Sequence, residues 1–290
     1  MLREGTSCLD GGVTALACLA ALVALACEGG TSATPRPTKS APPSSGPGGI
    51  AALGDSISTG FASCLVLTSC ERNSWSTGHG LRVESHYRRL LEQNSAIRDR
   101  TYNHARPGAR ADALEGQAQA AVRDRADYVT VLIGANDVCR GGVDAMTPVA
   151  EFRADVDRGL RVLRTGRPKA RVLVVSIPDL YRLWEVGHGD SRAVRAWRRG
   201  ICPSLLAEAT STAPVDRARR AAVRERIDAY NTELVAACRA YGSRCRHDGG
   251  AVHKVRFTLD LLNPLDWFHP NATGQGRIAE VTWRSSGLAN

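Results

Sequence analysis

Short apolar runs alternate with longer amphipathic ones along this chain. Ile50-Ala51-Ala52-Leu53 is apolar and stops at Gly54, the form of a buried strand. Residues 128–133 are β-branched and almost wholly apolar, and residues 170–177 contain Val-Leu-Val-Val. Both read as strands covered on both faces, as in a parallel sheet. Residues 101–105 form a shorter strand candidate. Between these runs the spacing becomes helical. Val83, Tyr87, Leu90 and Leu91 share a face over residues 81–93, and residues 112–125 are alanine-rich. Phe152, Val156, Leu160 and Leu163 mark one face of residues 148–165. A long helix is expected over 216–241 and a last one over 273–283. This alternation predicts a three-layer α/β/α domain with a doubly wound, mainly parallel sheet. Sites in such sheets lie outside the carboxyl ends of the strands, so the residues that follow each strand carry the most weight.

The pattern differs before residue 50. Arg3 precedes an apolar run over residues 13–26, although Glu4 and Asp10 weaken the basic segment. The run has the length of a signal-peptide core and is short for a bilayer span. It ends in Leu25-Ala26-Cys27, which suits a lipoprotein cleavage site with Cys27 as the lipidated residue. Ala24 is less usual there than leucine, so ordinary secretion stays open. A buried or membrane helix is the competing reading. Residues 28–49 are rich in Gly, Ser, Thr and Pro and have no apolar period, so they read as a flexible tether. The expected organisation is a signal peptide over 1–27, a linker over 28–49 and one domain over 50–290. The product would be a secreted protein or a cell-surface lipoprotein, with a membrane tether if Cys27 is lipidated.

Charge and cysteine content sharpen this picture. The formal net charge is +9, yet only Lys39, Lys169 and Lys254 of the 38 basic residues are lysines. The arginines are dispersed, often beside acids, and no nucleic-acid-binding motif accompanies them. The bias fits a GC-rich coding sequence better than a phosphate-binding face, and no nucleic-acid partner is expected. Of nine cysteines, Cys8 and Cys18 fall in the expected leader and Cys27 at its end. The remaining six are Cys64, Cys70, Cys139, Cys202, Cys238 and Cys245. An even number in an exported chain points to disulfides. Zinc is the rival, but there is no Cys-x-x-Cys pair, and Cys245-Arg246-His247 alone is a weak signal.

Four segments at expected strand or helix ends carry reactive residue types. They are Gly54-Asp55-Ser56, the glycine of Arg106-Pro107-Gly108, Gly134-Ala135-Asn136-Asp137, and Asp266-Trp267-Phe268-His269. In kind and order they resemble the four blocks of the SGNH (GDSL-like) hydrolases over about residues 50 to 285. The resemblance implies a flavodoxin-like fold and a serine nucleophile, Ser56. His269 would be its general base, held by Asp266 across one helical turn. The backbone N–H groups of Ser56 and Gly108 and the Asn136 amide would form an oxyanion hole. Asp55 and Asp137 read as structural groups bonding loop backbone. A decoy exists in Gly189-Asp190-Ser191, with His188 and Glu185 nearby, but no apolar strand leads into it. Asp190 or Ser191 reads better as the cap of the arginine-rich helix that follows. His79, His86, His104, His188, His247 and His253 read as surface or loop residues.

A finer resemblance, carried by Ser74-Trp75-Ser76-Thr77-Gly78 and Ile177-Pro178-Asp179-Leu180, is to secreted bacterial esterases and lipases with three disulfides. It implies the pairs Cys64–Cys70, Cys139–Cys202 and Cys238–Cys245. The expected function is hydrolysis of small-molecule or lipid carboxylic esters through an acyl-serine by a monomer, with no metal or organic cofactor. A carbohydrate O-deacetylase or a phospholipase is the alternative on the same fold. An inactive, surface-tethered binding module is the alternative of another class.

Overall fold

A computed structural model describes residues 46–289 of the chain. The expected leader, with Cys27, and residues 28–45 of the expected linker lie outside them. Five strands form one sheet: β1 Ile50–Gly54, β2 Thr101–Asn103, β3 Tyr128–Leu132, β4 Arg171–Val174 and β5 Cys245–His247. Their order is β2-β1-β3-β4-β5 and every pairing is parallel. The register sets Ile50 beside both Thr101 and Tyr128, and Tyr128 beside Arg171. All strands therefore begin at one end of the sheet and finish at the other.

The helices are α1 His86–Gln93, α2 Leu114–Arg123, α3 Ala135–Val138, α4 Val149–Gly166, α5 Leu180–Gly187, α6 Ser191–Trp197, α7 Pro203–Leu206, α8 Pro214–Tyr241 and α9 Ala272–Ser285. α2, α4 and α8 pack in succession. Phe152 of α4 stacks on Tyr230 of α8 with ring centroids 4.0 Å apart. The architecture is the three-layer α/β/α arrangement read from the alternation.

Three differences from the sequence reading have physical causes. The first helix starts at His86 and not near residue 81, because Ser85 caps it by accepting a hydrogen bond from Arg88 N at 3.1 Å. The edge strand β5 escapes detection because Cys-Arg-His has no apolar run, and none of its residues is fully buried. The short helices α3, α5 and α7 have too few turns to show a period.

His86 is the main correction among the histidines. It is fully buried, with Nδ1 2.9 Å from the Tyr128 hydroxyl and Nε2 2.8 Å from Thr282 Oγ1. Thr130, buried in the middle of β3, meets Ser76 Oγ at 2.7 Å. Burial, aided by the Arg89 charge, pushes the His86 imidazole down to about 3.

The consequence for stability has a definite sign. The unfolded chain takes up a proton at His86 near pH 6.5, whereas the folded chain resists it to about 3. Stability from this group is complete above pH 6.5 and is lost as pH falls toward 3. His86→Gln should destabilise the domain by about 1–3 kcal/mol at pH 8. Its melting temperature should then fall less steeply than that of the wild type between about pH 6.5 and 4. Parallel melting curves across that range would assign the proton uptake elsewhere.

Candidate active site

β1 ends at Gly54, where φ is +136° and a β-carbon would collide with the Leu132 carbonyl oxygen. Only glycine lets β1 run this close to β3 at its last residue. Gln117 of α2 holds Gly54 through both of its backbone polar groups. Gly54 N donates to its Oε1 at 2.7 Å, and its Nε2 donates to Gly54 O at 3.0 Å. The chain then turns sharply. Asp55 Oδ1 accepts from Ile57 N at 2.9 Å, and Asp55 O accepts from Ser58 N at 3.1 Å. Gln275 of α9 holds the far side of the turn, donating to Ile57 O at 2.9 Å and accepting from Trp75 N at 3.0 Å. Ser56 is thus fixed from both ends at the carboxyl edge of the sheet.

The partner of Ser56 comes from the other end of the chain. His269 Nε2 lies 3.0 Å from Ser56 Oγ, and its Nδ1 lies 2.7 Å from Asp266 Oδ2. With the proton on Nδ1, both contacts are satisfied: Ser56 donates to the imidazole and the imidazole donates to the carboxylate. The helical turn expected between Asp266 and His269 is absent. Residues 264–269 form an irregular turn in which Trp267 has φ +52°. Asp266 organises this turn itself, because its Oδ1 accepts from Phe268 N at 2.9 Å and from His269 N at 3.1 Å. One carboxylate therefore fixes both the backbone and the ring of His269. Phe61 and Phe268 flank that ring at centroid distances of 4.6 and 5.0 Å.

Asn136 lies in the first turn of α3, directly after β3. Its Nδ2 donates to Ala109 O at 3.0 Å, which uses one of its two hydrogens and ties the loop after β3 to the loop after β2. Gly108 sits in that second loop with φ +79°, and a β-carbon there would meet nothing within 4 Å. Backbone conformation, not crowding, calls for glycine. The N–H groups of Ser56 and Gly108 donate to no other group among the described residues. Ser56, Asn136 and His269 line one cleft, while Gly108 joins the site through its neighbour Ala109. The cleft walls are mainly apolar, with Leu180, Leu183, Phe257, Leu262 and Phe268 prominent.

Two buried carboxyl groups adjoin these donors. Burial and the nearby Asp137 charge raise Asp55 to about 7, against the opposing bond from Ile57 N. Burial raises Asp137 to about 6, although its Oδ2 accepts from Ala111 N at 3.1 Å. Both bond loop backbone, as the sequence reading expects. The raised values lessen the negative charge these groups carry near neutral pH.

The decoy segment is arranged differently. Asp190 caps α6 through Arg192 N and Ala193 N, Ser191 is exposed, and His188 Nδ1 lies 3.0 Å from Trp184 O. No hydrogen bond joins Ser191 to His188 among the described residues. Sequence reasoning missed Gln117 and Gln275. Each occupies an inward position of a helix whose neighbours at helical spacing are apolar or small, such as Leu114, Ala118 and Ala121. A glutamine at a core position was the available signal.

Three disulfides tie the domain together. Cys64–Cys70 closes the loop after Ser56, Cys139–Cys202 joins the ends of α3 and α7, and Cys238–Cys245 pins β5 to α8. Ser204 supports the second by donating to Val138 O at 2.6 Å.

Comparison with known proteins places these features in context. The model of the GDSL-like lipase/acylhydrolase family matches residues 52–277. A GDSL-like lipase from Parabacteroides merdae is 17% identical, with a TM-score of 0.52 over 83% of this chain and 95% of its own. An extracellular lipase from Streptomyces rimosus is 19% identical, with a TM-score of 0.47 over 81% of this chain and 98% of its own. Phospholipase A1 from Streptomyces albidoflavus is also 19% identical, with a TM-score of 0.48 over 82% and 99%. At such identities the first likeness is one of fold. No curated protein matches the chain.

The raised Asp55 gives a testable pH effect. The folded chain keeps this proton up to about 7, whereas the unfolded chain loses it near 3.8. The associated stability is complete below about pH 4 and is lost as pH rises to 7. Asp55→Asn does not titrate, so its melting temperature should gain on that of the wild type between about pH 5 and 8. A constant difference over that range would show that Asp55 is ionised throughout.

Proposed function

The chain belongs to the GDSL-like lipase/acylhydrolase family, and on that premise we propose that it is an exported serine esterase that cleaves carboxylic esters through an acyl-serine. The observation that carries this reading is the continuous hydrogen-bonded set Asp266–His269–Ser56 at an apolar cleft.

In this reading Ser56 Oγ attacks the ester carbonyl carbon as its proton passes to His269 Nε2. The resulting imidazolium is stabilised by Asp266, which also keeps Nδ1 protonated beforehand. The carbonyl π electrons move to oxygen, and the oxyanion receives hydrogen bonds from Ser56 N–H, Gly108 N–H and the Asn136 amide. Collapse expels the alcohol, which leaves with the proton from His269. Water then repeats the sequence on the acyl-serine, releasing the acid and restoring Ser56. The apolar walls suit an apolar acyl portion better than an acetyl group on a sugar.

Export forms part of the same proposal: a signal peptide over 1–27, a tether over 28–49, the hydrolase domain from 50 onward, and a monomer either secreted or lipid-anchored through Cys27. Three disulfides suit an oxidising compartment. No helix among the described residues is long and apolar enough to cross a membrane.

Two measurements test the site. Ser56→Ala should abolish hydrolysis of p-nitrophenyl butyrate and leave the melting temperature nearly unchanged, whereas Ser191→Ala should retain full activity. The reverse result would move the nucleophile to the decoy. Asn136→Ala should lower kcat by roughly 10²–10³-fold with little change in KM, because its donor matters most once charge develops. It should also lose some stability, since the bond to Ala109 O is removed as well. A folded Asn136→Ala enzyme with near-normal kcat would take Asn136 out of the oxyanion hole.

A further inference from the structure

The loop that follows the candidate nucleophile has an unusual surface. Leu65, Val66 and Leu67 are 63%, 52% and 48% exposed. Seven large apolar side chains are exposed among the described residues, and these three are the only consecutive ones. Isolated exposed leucines are ordinary, but a contiguous apolar tip marks a contact surface. No charged residue occurs from Ile57 to Cys70, so the tip can enter an apolar medium without desolvating an ion.

The base of this loop is rigid. Cys64–Cys70 closes it, Ala62 N donates to Thr68 O at 2.9 Å, and Cys70 N donates to Thr59 O at 3.1 Å. Asn73 Nδ2 donates to Ser63 O at 3.1 Å from one side, and Asn263 Nδ2 donates to Ala62 O from the other. The tip is therefore held outward and cannot collapse onto the core. Leu65 has φ +66°, a left-handed conformation that branched apolar residues avoid. Its largely exposed side chain gains no internal packing in return, and such outliers concentrate at contact and functional sites.

The tip is also joined to the cleft. Phe61, at the foot of the loop, packs against the His269 ring at 4.6 Å. Asn263, which holds Ala62, also donates its backbone N–H to His269 O at 2.9 Å. Leu265, 46% exposed, follows two residues later. An exposed apolar tip thus shares its supports with the general-base candidate beside a cleft whose own walls are apolar.

We propose that the 64–70 loop is a docking finger for a lipid–water interface. Its Leu65-Val66-Leu67 tip seats in the surface of an aggregated acyl ester and brings the mouth of the cleft to that surface. The occupant is apolar because the tip has no charge and the cleft continues its character. This rests on the reading of Ser56 as an ester-cleaving nucleophile, and it selects aggregated lipid esters as the substrate class.

The test uses the full exported chain and the variant L65S/V66S/L67S, with L65M/V66I/L67M as the conservative control. Activity is measured on dissolved p-nitrophenyl butyrate and on an emulsified triglyceride. Binding is measured by flotation with the same emulsion, with each loop variant also made in a Ser56→Ala background. The serine variant should keep its kcat/KM on the dissolved ester within about twofold. It should lose at least roughly tenfold in rate on the emulsion and in partition to it, as expected when three apolar side chains stop entering an interface. The conservative control should restore both. Equal rates on the emulsion, or equal flotation of the Ser56→Ala chain with and without the finger, would overturn the proposal. Should the wild type hydrolyse neither ester, the ester-cleaving reading fails, while flotation still decides whether the finger docks.

Discussion

The contact between His269 and Ser56 joins groups 213 residues apart, and most of the structure serves to make it at 3.0 Å. Ser56 leaves the first strand, while His269 follows the last one and precedes the final helix. Their meeting requires the sheet to be complete and α9 to be docked. Gln275, four residues into α9, reaches back to the turn that carries Ser56. The element that follows His269 thus also holds its partner. A disturbance of α9 would act on both halves of the site together, without touching either reactive atom.

Around this contact the chain buries polar groups in matched sets. Gln117 satisfies both backbone polar groups of Gly54, and Asp266 uses its two oxygens on three donors. Buried amides and carboxylates are costly when unpaired and rigid when paired. Asp55 and Asp137 follow a different rule, since each has one buried oxygen without a partner. Protonation relieves that cost, which is why burial raises both. Asp266 holds the ring of His269, while burial lifts Asp55 and Asp137 above the usual carboxylate range.

The layered fold was legible in the sequence because its central strands are buried on both faces and read as uninterrupted apolar runs. The four reactive segments were legible because each follows such a run or precedes an amphipathic helix. β5 was not, since an edge strand tied by Cys238–Cys245 needs no apolar run to stay in place. His86 was misread because a single histidine in a helix does not reveal that Tyr128 and Thr282, 42 and 196 residues away, are waiting as partners. The turn at Asp266 was misread for a related reason. A spacing of three residues fits a helix, and nothing in Asp-Trp-Phe-His announces the left-handed Trp267.

The polarity of a parallel sheet fixes where the two chain ends leave the domain. Gly46–Gly49 enter β1 at the end where every strand starts, five residues, or about 17 Å, from the cleft side. α9 begins just after His269 and runs back, so that Ser286 and Gly287 share a surface depression with Tyr128 and Arg171, the first residues of β3 and β4. Both ends therefore depart from the side opposite the cleft. The domain can be spliced into a loop of another polypeptide, or coupled by either end to a solid support, with its cleft turned toward the bulk solution.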